Sequence, residues 1–203
     1  SDPTGVHGSV LRVDPNSFDP RPQNPMAGDA DLNAARMIAT GFRNPFRMAV
    51  DSQVGRLFVG NVGGGGADEI NLIEGNDLYN SGWPCYEGPG LTPNTFWLTT
   101  NICNTLIASG DHDPPMFSYG RDTTIAADEP CPNGGLAVAG LAVNRSGFGP
   151  AAMNGALFFS DYTRDCIWYL PVGADGRPDP GEATLFASGV GGIADLAFGP
   201  DGG

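Results

Sequence analysis

Apolar residues in this chain alternate with polar ones in short runs, each closed by Gly, Pro, Asn or Asp. The period is two residues: GSVLRV (8–13), FRMAV (46–50), RLFVG (56–60), EINLI (69–73), VAGLAV (138–143), ALFFS (156–160), CIWYLP (166–171), TLFA (184–187) and ADLAF (194–198). Alternation of this kind marks half-buried strands, and none of these runs is long enough to form a helix. The 31 glycines and 18 prolines are spread between the runs rather than concentrated, so they act as turn punctuation in a folded chain. Asp31–Thr40 (DLNAARMIAT) is the one segment that reads as a short helix, closed by Gly41.

The strand–turn–strand pattern recurs when FRMAVDSQVGRLFVGN (46–61) is set beside GLAVNRSG with NGALFFSD (140–161) and DLAFGPDGG (195–203). Repeated antiparallel units are the sequence form of propeller blades, with an all-β sandwich as the competing architecture. The run stops at GPDGG (199–203), a hairpin turn with no second strand, and begins almost directly on VLRV. Such ends are expected of about two full blades plus flanking strands.

Charge excludes several functions. A net charge of −13 repels phosphate backbones and anionic headgroups, so neither a nucleic-acid partner nor membrane insertion is expected. Every basic residue is arginine, which excludes lysine Schiff bases and Walker-type phosphate loops. Four cysteines without a C-x-x-C pair argue for disulfides more than zinc, with free thiols the remaining option.

Several motifs stand out. In GFRNPF (41–46) the proline holds Asn44 extended and fixes how Arg43 and Asn44 project, against the plainer reading of an ordinary surface arginine. In VGGGGAD (62–68) four glycines allow close backbone approach to a ligand or metal, or form a flexible turn. The strand pattern after it rules out a dinucleotide loop. GWPCYEG (82–88) gathers Trp83, Cys85 and Tyr86 in one turn. His7 and His112 lack the neighbours of a catalytic triad, and Asp29, Asp31 and Asn33 echo a calcium loop without its Gly and closing Glu. Asn144-Arg145-Ser146 is a glycosylation sequon.

Taken in order, GVHGSVLRVDP, ARMIATGFRNPFRMAVDSQVGRLFVGNVG, DEINLI, GWPCYEG and GALFFSDYTRDCIWYL resemble the glucose/sorbosone dehydrogenase family, the soluble pyrroloquinoline-quinone-dependent sugar dehydrogenases. The resemblance implies an all-β fold, part of a six-bladed β-propeller. Its blades would cover about 46–84 and 137–188, with a disulfide-linked insertion at 85–136, a strand near 8–14 and the first strand of a next blade at 193–199. It implies pyrroloquinoline quinone and Ca2+ as cofactors, a sugar substrate, an external electron acceptor, further blades of the same polypeptide, and a secreted or periplasmic location. Arg43 and Asn44 would touch the quinone, and Gly63 and Gly64 would offer carbonyls to the calcium. The pairs Cys85–Cys103 and Cys131–Cys166 would be disulfides. The family's catalytic histidine is expected upstream of Ser1, which would leave the chain as given inactive. Asn61-Val62-Gly63-Gly64 departs from the Asp-Val-Gly-Gln of many relatives, and Gly192 and Ala194 replace cofactor-gripping arginines. A non-catalytic carbohydrate- or protein-binding propeller is the alternative.

Overall fold

The computed structural model describes residues 5–199. In chain order the elements are β1 (Val10–Leu11), α1 (Leu32–Arg36), β2 (Met37–Thr40), β3 (Pro45–Asp51), β4 (Arg56–Asn61), β5 (Ala67–Ile73) and β6 (Tyr79–Asn80). There follow β7 (Tyr86–Glu87), β8 (Gly90–Leu91), α2 (Thr95–Leu98), α3 (Asn101–Ser109), β9 (Phe117–Gly120), β10 (Val138–Val143), β11 (Leu157–Asp161), β12 (Cys166–Leu170) and β13 (Thr184–Ser188).

Two four-stranded antiparallel sheets, β3-β4-β5-β9 and β10-β11-β12-β13, are the blades. Alternation decides which side chains go where. Opposite pairs such as Ala49 with Phe58, and Phe159 with Trp168, send their side chains into one core shared by both sheets. The intervening Val59 and Ile73 face the other way and pack with Val10, Ile38, Ala39 and Phe42 from the sheet β1-β2-β6. The first blade therefore packs against another sheet on each face, although Met48 and Val50 of β3 remain exposed on the side facing β1-β2-β6. At the edges the blades are tied by charge. Arg145 donates to both carboxylate oxygens of buried Asp51 at 3.1 and 2.6 Å, and Glu74 takes Arg56 and Arg177 at 2.5 and 2.6 Å.

The structure corrects the sequence reading at four places. The helix expected over 31–40 ends at Arg36, and Met37–Thr40 is a fully buried strand running antiparallel to β1 and parallel to β6. Burial between two partners overrides a local helical pattern. The first blade does not finish before residue 85: its fourth strand, Phe117–Gly120, comes from inside the segment read as an insertion. That segment also carries two helices, α2 and α3, the second capped by Thr100 and stopped by left-handed Gly110. Residues 193–199 form no strand and instead lie along the second blade, where Ser160 Oγ donates to the Ile193 carbonyl at 3.3 Å. The terminal turn read at 199–203 falls almost wholly outside the described residues.

Both disulfides are present: Cys85–Cys103 closes 18 residues and Cys131–Cys166 closes 35. The sequon asparagine is not open to modification. Asn144 is fully buried, and its Nδ2 donates to the carbonyls of Phe148 and Met153, both at 2.8 Å. Asp31 accepts from the Asn33 and Ala34 amides as the cap of α1, and Asp29 accepts from the Asp31 amide. These acids shape a turn, and among the described residues no group of three His, Cys, Asp or Glu side chains could hold a metal. Nor is any described helix long and apolar enough to cross a membrane.

Candidate functional site

The loop carrying Arg43 and Asn44 is gripped from both sides. The Phe42 amide donates to the Gly8 carbonyl at 3.0 Å, and the Trp83 amide donates to the Gly41 carbonyl at 2.8 Å. Gly41 sits at φ 73°, and a Cβ there would lie 2.7 Å from the Gly82 nitrogen, so only glycine lets these backbones meet. Asn44 is pinned through its main chain: its amide donates to Asn61 Oδ1 at 2.9 Å, and its carbonyl accepts from the Val62 amide at 3.0 Å. Arg43 stays exposed, with Nη1 donating to the Val62 carbonyl at 3.2 Å and its guanidinium 5.7 Å from the Trp83 ring.

The glycine turn lies directly beside it. A Cβ on Gly64 would come 2.9 Å from the Trp83 ring and 3.4 Å from Arg43 Nε, so Arg43, Gly64 and Trp83 share one small surface. Two buried carboxylates, Asp68 and Glu87, hold the turn from behind, and a third, Glu69, braces the segments on either side of it. Asp68 takes the Gly63 amide at 2.8 Å and, on its other oxygen, the Val138 amide at 2.5 Å, linking the turn to the second blade. Glu69 takes Asn61 Nδ2 at 2.8 Å and the Gly88 amide at 2.6 Å. Glu87 Oε1 takes the amides of Gly64, Gly65, Gly66 and Ala67 at 2.6, 2.9, 2.9 and 3.3 Å.

In a planar trans peptide the C=O and the following N–H point to opposite sides. Because the Gly64 and Gly65 amides face Glu87, the carbonyls of Gly63 and Gly64 face away from it. Backbone carbonyls facing away from a buried carboxylate, in a turn where Gly64 and Gly65 are exposed, are suitable oxygen ligands for a hard cation such as calcium.

Burial sets the proton chemistry. It pushes the Asp68 carboxyl up to about 6 against the lowering effect of the Val138 and Gly63 amides, with Asp161 and Glu69 adding to the rise. Glu69 is also raised, by burial first, and so is Tyr119, which donates to Asp161 at 2.8 Å. An acid whose folded pKa exceeds its unfolded value binds its proton more tightly in the native state. Its stabilising contribution is therefore full below about 4 and lost as pH rises from about 4 to about 6. Stability should decline over that window by on the order of 3 kcal/mol from Asp68 alone. Glu74, lowered in spite of some burial by Arg56 and Arg177, works in the opposite sense and loses its contribution as pH falls. Carboxyl-carbon NMR checks this directly: the Asp68 resonance should titrate near pH 6, and a midpoint near 4 contradicts the assignment.

The remaining candidates lie apart from this surface or behind it. His7 is exposed just before Gly8. His112 stacks on Tyr86 with ring centroids 3.5 Å apart. Ala194 and Asn44 line one apolar cavity with Phe46, Val62 and Tyr162. A Cβ on Gly192 would lie 2.8 Å from the Tyr162 ring, so an arginine would have to displace that tyrosine. Sequence reasoning passed over Asp68, Glu69, Glu87 and Tyr162. The only available signal was an acid placed inside each of DEINLI and GWPCYEG, where an apolar residue or turn former would otherwise stand.

Face-stacked four-stranded antiparallel blades define the β-propeller class. Residues 1–93 match the family model "Glucose / Sorbosone dehydrogenase". The fold matches a putative oxidoreductase (glucose dehydrogenase) of Thermus thermophilus at 24% identity and TM-score 0.65, covering 99% of this chain and 48% of that one. It also matches the PQQ-bound aldose sugar dehydrogenase of Streptomyces coelicolor (23%, TM-score 0.63, covering 100% of this chain and 45% of that one). A third match is the apo soluble aldose sugar dehydrogenase of Escherichia coli (23%, TM-score 0.68, covering 100% and 51%). No curated protein sequence matches. The chain thus spans about half the length of these solved structures. The resemblance drawn from the motifs holds: the N-terminal 93 residues match the family, and the chain has the relatives' fold.

Proposed function

We propose that the protein acts in the oxidation of a sugar hydroxyl, with pyrroloquinoline quinone and calcium bound at the surface formed by Arg43, Asn44, Gly63 and Gly64. The observation that carries this reading is the convergence of exposed Arg43 with the neighbouring glycine turn, whose Gly64 and Gly65 amides are held by Glu87 so that the carbonyls of Gly63 and Gly64 face away from it. When bound, the quinone supplies a hydride acceptor and the calcium a Lewis acid for its carbonyl. Arg43 contributes a fixed positive charge, offsetting negative charge that develops on the acceptor side as hydride leaves the sugar. Its bond to the Val62 carbonyl and its place over Trp83 hold that charge ready, so little reorganisation is needed. Asn44 keeps its side chain free for contact because its main chain is already tied. Electrons would leave to an external acceptor. The two disulfides support a secreted or periplasmic location, where such bonds persist.

A non-catalytic carbohydrate-binding propeller draws support from Gly192, where the Tyr162 ring occupies the space an arginine would need. One assay separates the two. The complete gene product, supplied with quinone, calcium and a dye acceptor, should reduce the dye with an aldose or polyol, and Arg43→Ala should lower kcat/KM by about 100-fold. Sugar binding without dye reduction on any aldose or polyol favours the binder and overturns the enzyme.

A further inference from the structure

We propose that Glu87 is a positioning residue: by collecting consecutive amides of the glycine turn it aims the Gly63 and Gly64 carbonyls outward as cation ligands. The inference rests on the calcium reading above and extends it to a residue that would not itself touch the metal.

Four successive N–H groups converging on one oxygen form an anion nest, filled here by the protein's own carboxylate. Glu87 is buried, and its other oxygen is within 3.5 Å of Thr92 Oγ1, so the carboxylate is held at both ends. A Cβ on Gly63 would collide with the Ala67 carbonyl and lie 2.6 Å from Glu87 Oε1, and one on Gly66 would lie 3.1 Å from the Glu87 carboxyl carbon. The carboxylate thus helps to exclude a side chain at Gly63 and Gly66, while Trp83 does so at Gly64.

Two neighbours fix Glu87 in turn. Cys85, two residues before it, is bonded to Cys103 on α3, and the amide of Gly88, after it, donates to Glu69 at 2.6 Å. A negative charge on the N–H side of a peptide also polarises that peptide, making its carbonyl oxygen a better donor to a cation. Glu87 thus sets both the direction and the basicity of the two carbonyls.

The test compares wild type with Glu87→Gln and Glu87→Asp, the second keeping the charge while withdrawing it by one methylene. Calcium is titrated into the quinone-loaded protein by calorimetry well below the melting temperature, and the ligand-free amide resonances of Gly64 to Ala67 are read by NMR. Both variants should bind calcium about 10- to 100-fold more weakly, the range for loss of a group that orients metal ligands. The four amide resonances should move together. A purely structural role would lower the melting temperature while leaving affinity in the folded protein unchanged. Either folded variant binding calcium as wild type does overturns the role of Glu87 and leaves the functional reading intact. Wild type that binds no calcium overturns this inference, while dye reduction tests the oxidoreductase reading separately.

Discussion

Replacing Arg164 with methionine should lower the unfolding free energy by about 4 kcal/mol, within the range for stranding one side of a buried charged contact. Arg164 is fully buried, and no carboxylate forms an ion pair with it among the described residues. Its charge is met by carbonyl dipoles instead: Nη1 donates to Thr123 at 2.6 Å, Nη2 to Gly120 and Arg121 at 2.6 and 2.9 Å, and Nε to Gly135 at 3.4 Å. Tyr119 lies beneath the guanidinium at 5.1 Å. Methionine fills much of the volume but leaves these carbonyls without donors, each costing about 1 to 3 kcal/mol if water cannot reach it. Lysine should rescue little, because one ammonium cannot span carbonyls that a planar fork reaches together. Urea melts give the answer. A midpoint change equivalent to under about 1 kcal/mol at constant m would mean that the segment 120–135 stays in place without Arg164.

How much of this was legible beforehand depends on what each residue's environment had to supply. Alternation exposed the strands of both blades, because period-two burial is written residue by residue: Ala49 and Asp51 are buried while Met48 and Val50 are exposed. Met37–Thr40 was misread because all four residues are buried, which erases the alternation and leaves a helical-looking remnant after Ala34-Ala35. Helix α3 escaped because NICNTLIAS is poor in strong helix formers. It is held by the Thr100 cap and by Cys103 rather than by propensity. At the site, Arg43 and the glycines were visible because their spacing from Pro45 and from each other is local. Glu87 was not, because its partners lie 20 to 23 residues away and nothing in GWPCYEG says that the acid points inward.

The two disulfides should differ in what they stabilise. Removing Cys131–Cys166 as a paired alanine variant should cost about 4 kcal/mol, and removing Cys85–Cys103 about 3, from loops of 35 and 18 residues. The larger effect carries a sharper consequence. Cys131 and Arg164 both fasten the stretch between β9 and β10 onto the second blade, and Cys166 follows Arg164 by two residues on the same strand entrance. Glu129 belongs to that stretch as well, accepting from Trp168 Nε1 at 2.5 Å. Once either anchor is lost, the stretch can detach and the other has less left to hold, so the two losses should not add. A double-mutant cycle should show the combined variant less destabilised than the sum by at least about 1 kcal/mol, within the range for coupled neighbours. The Cys85–Cys103 pair holds α3 and the β7 turn instead, and its loss should add to that of Arg164 within about 0.5 kcal/mol. Additivity in the first cycle would mean that Arg164 and Cys131 hold independent units, and the picture of one stretch clamped at two points would have to be abandoned.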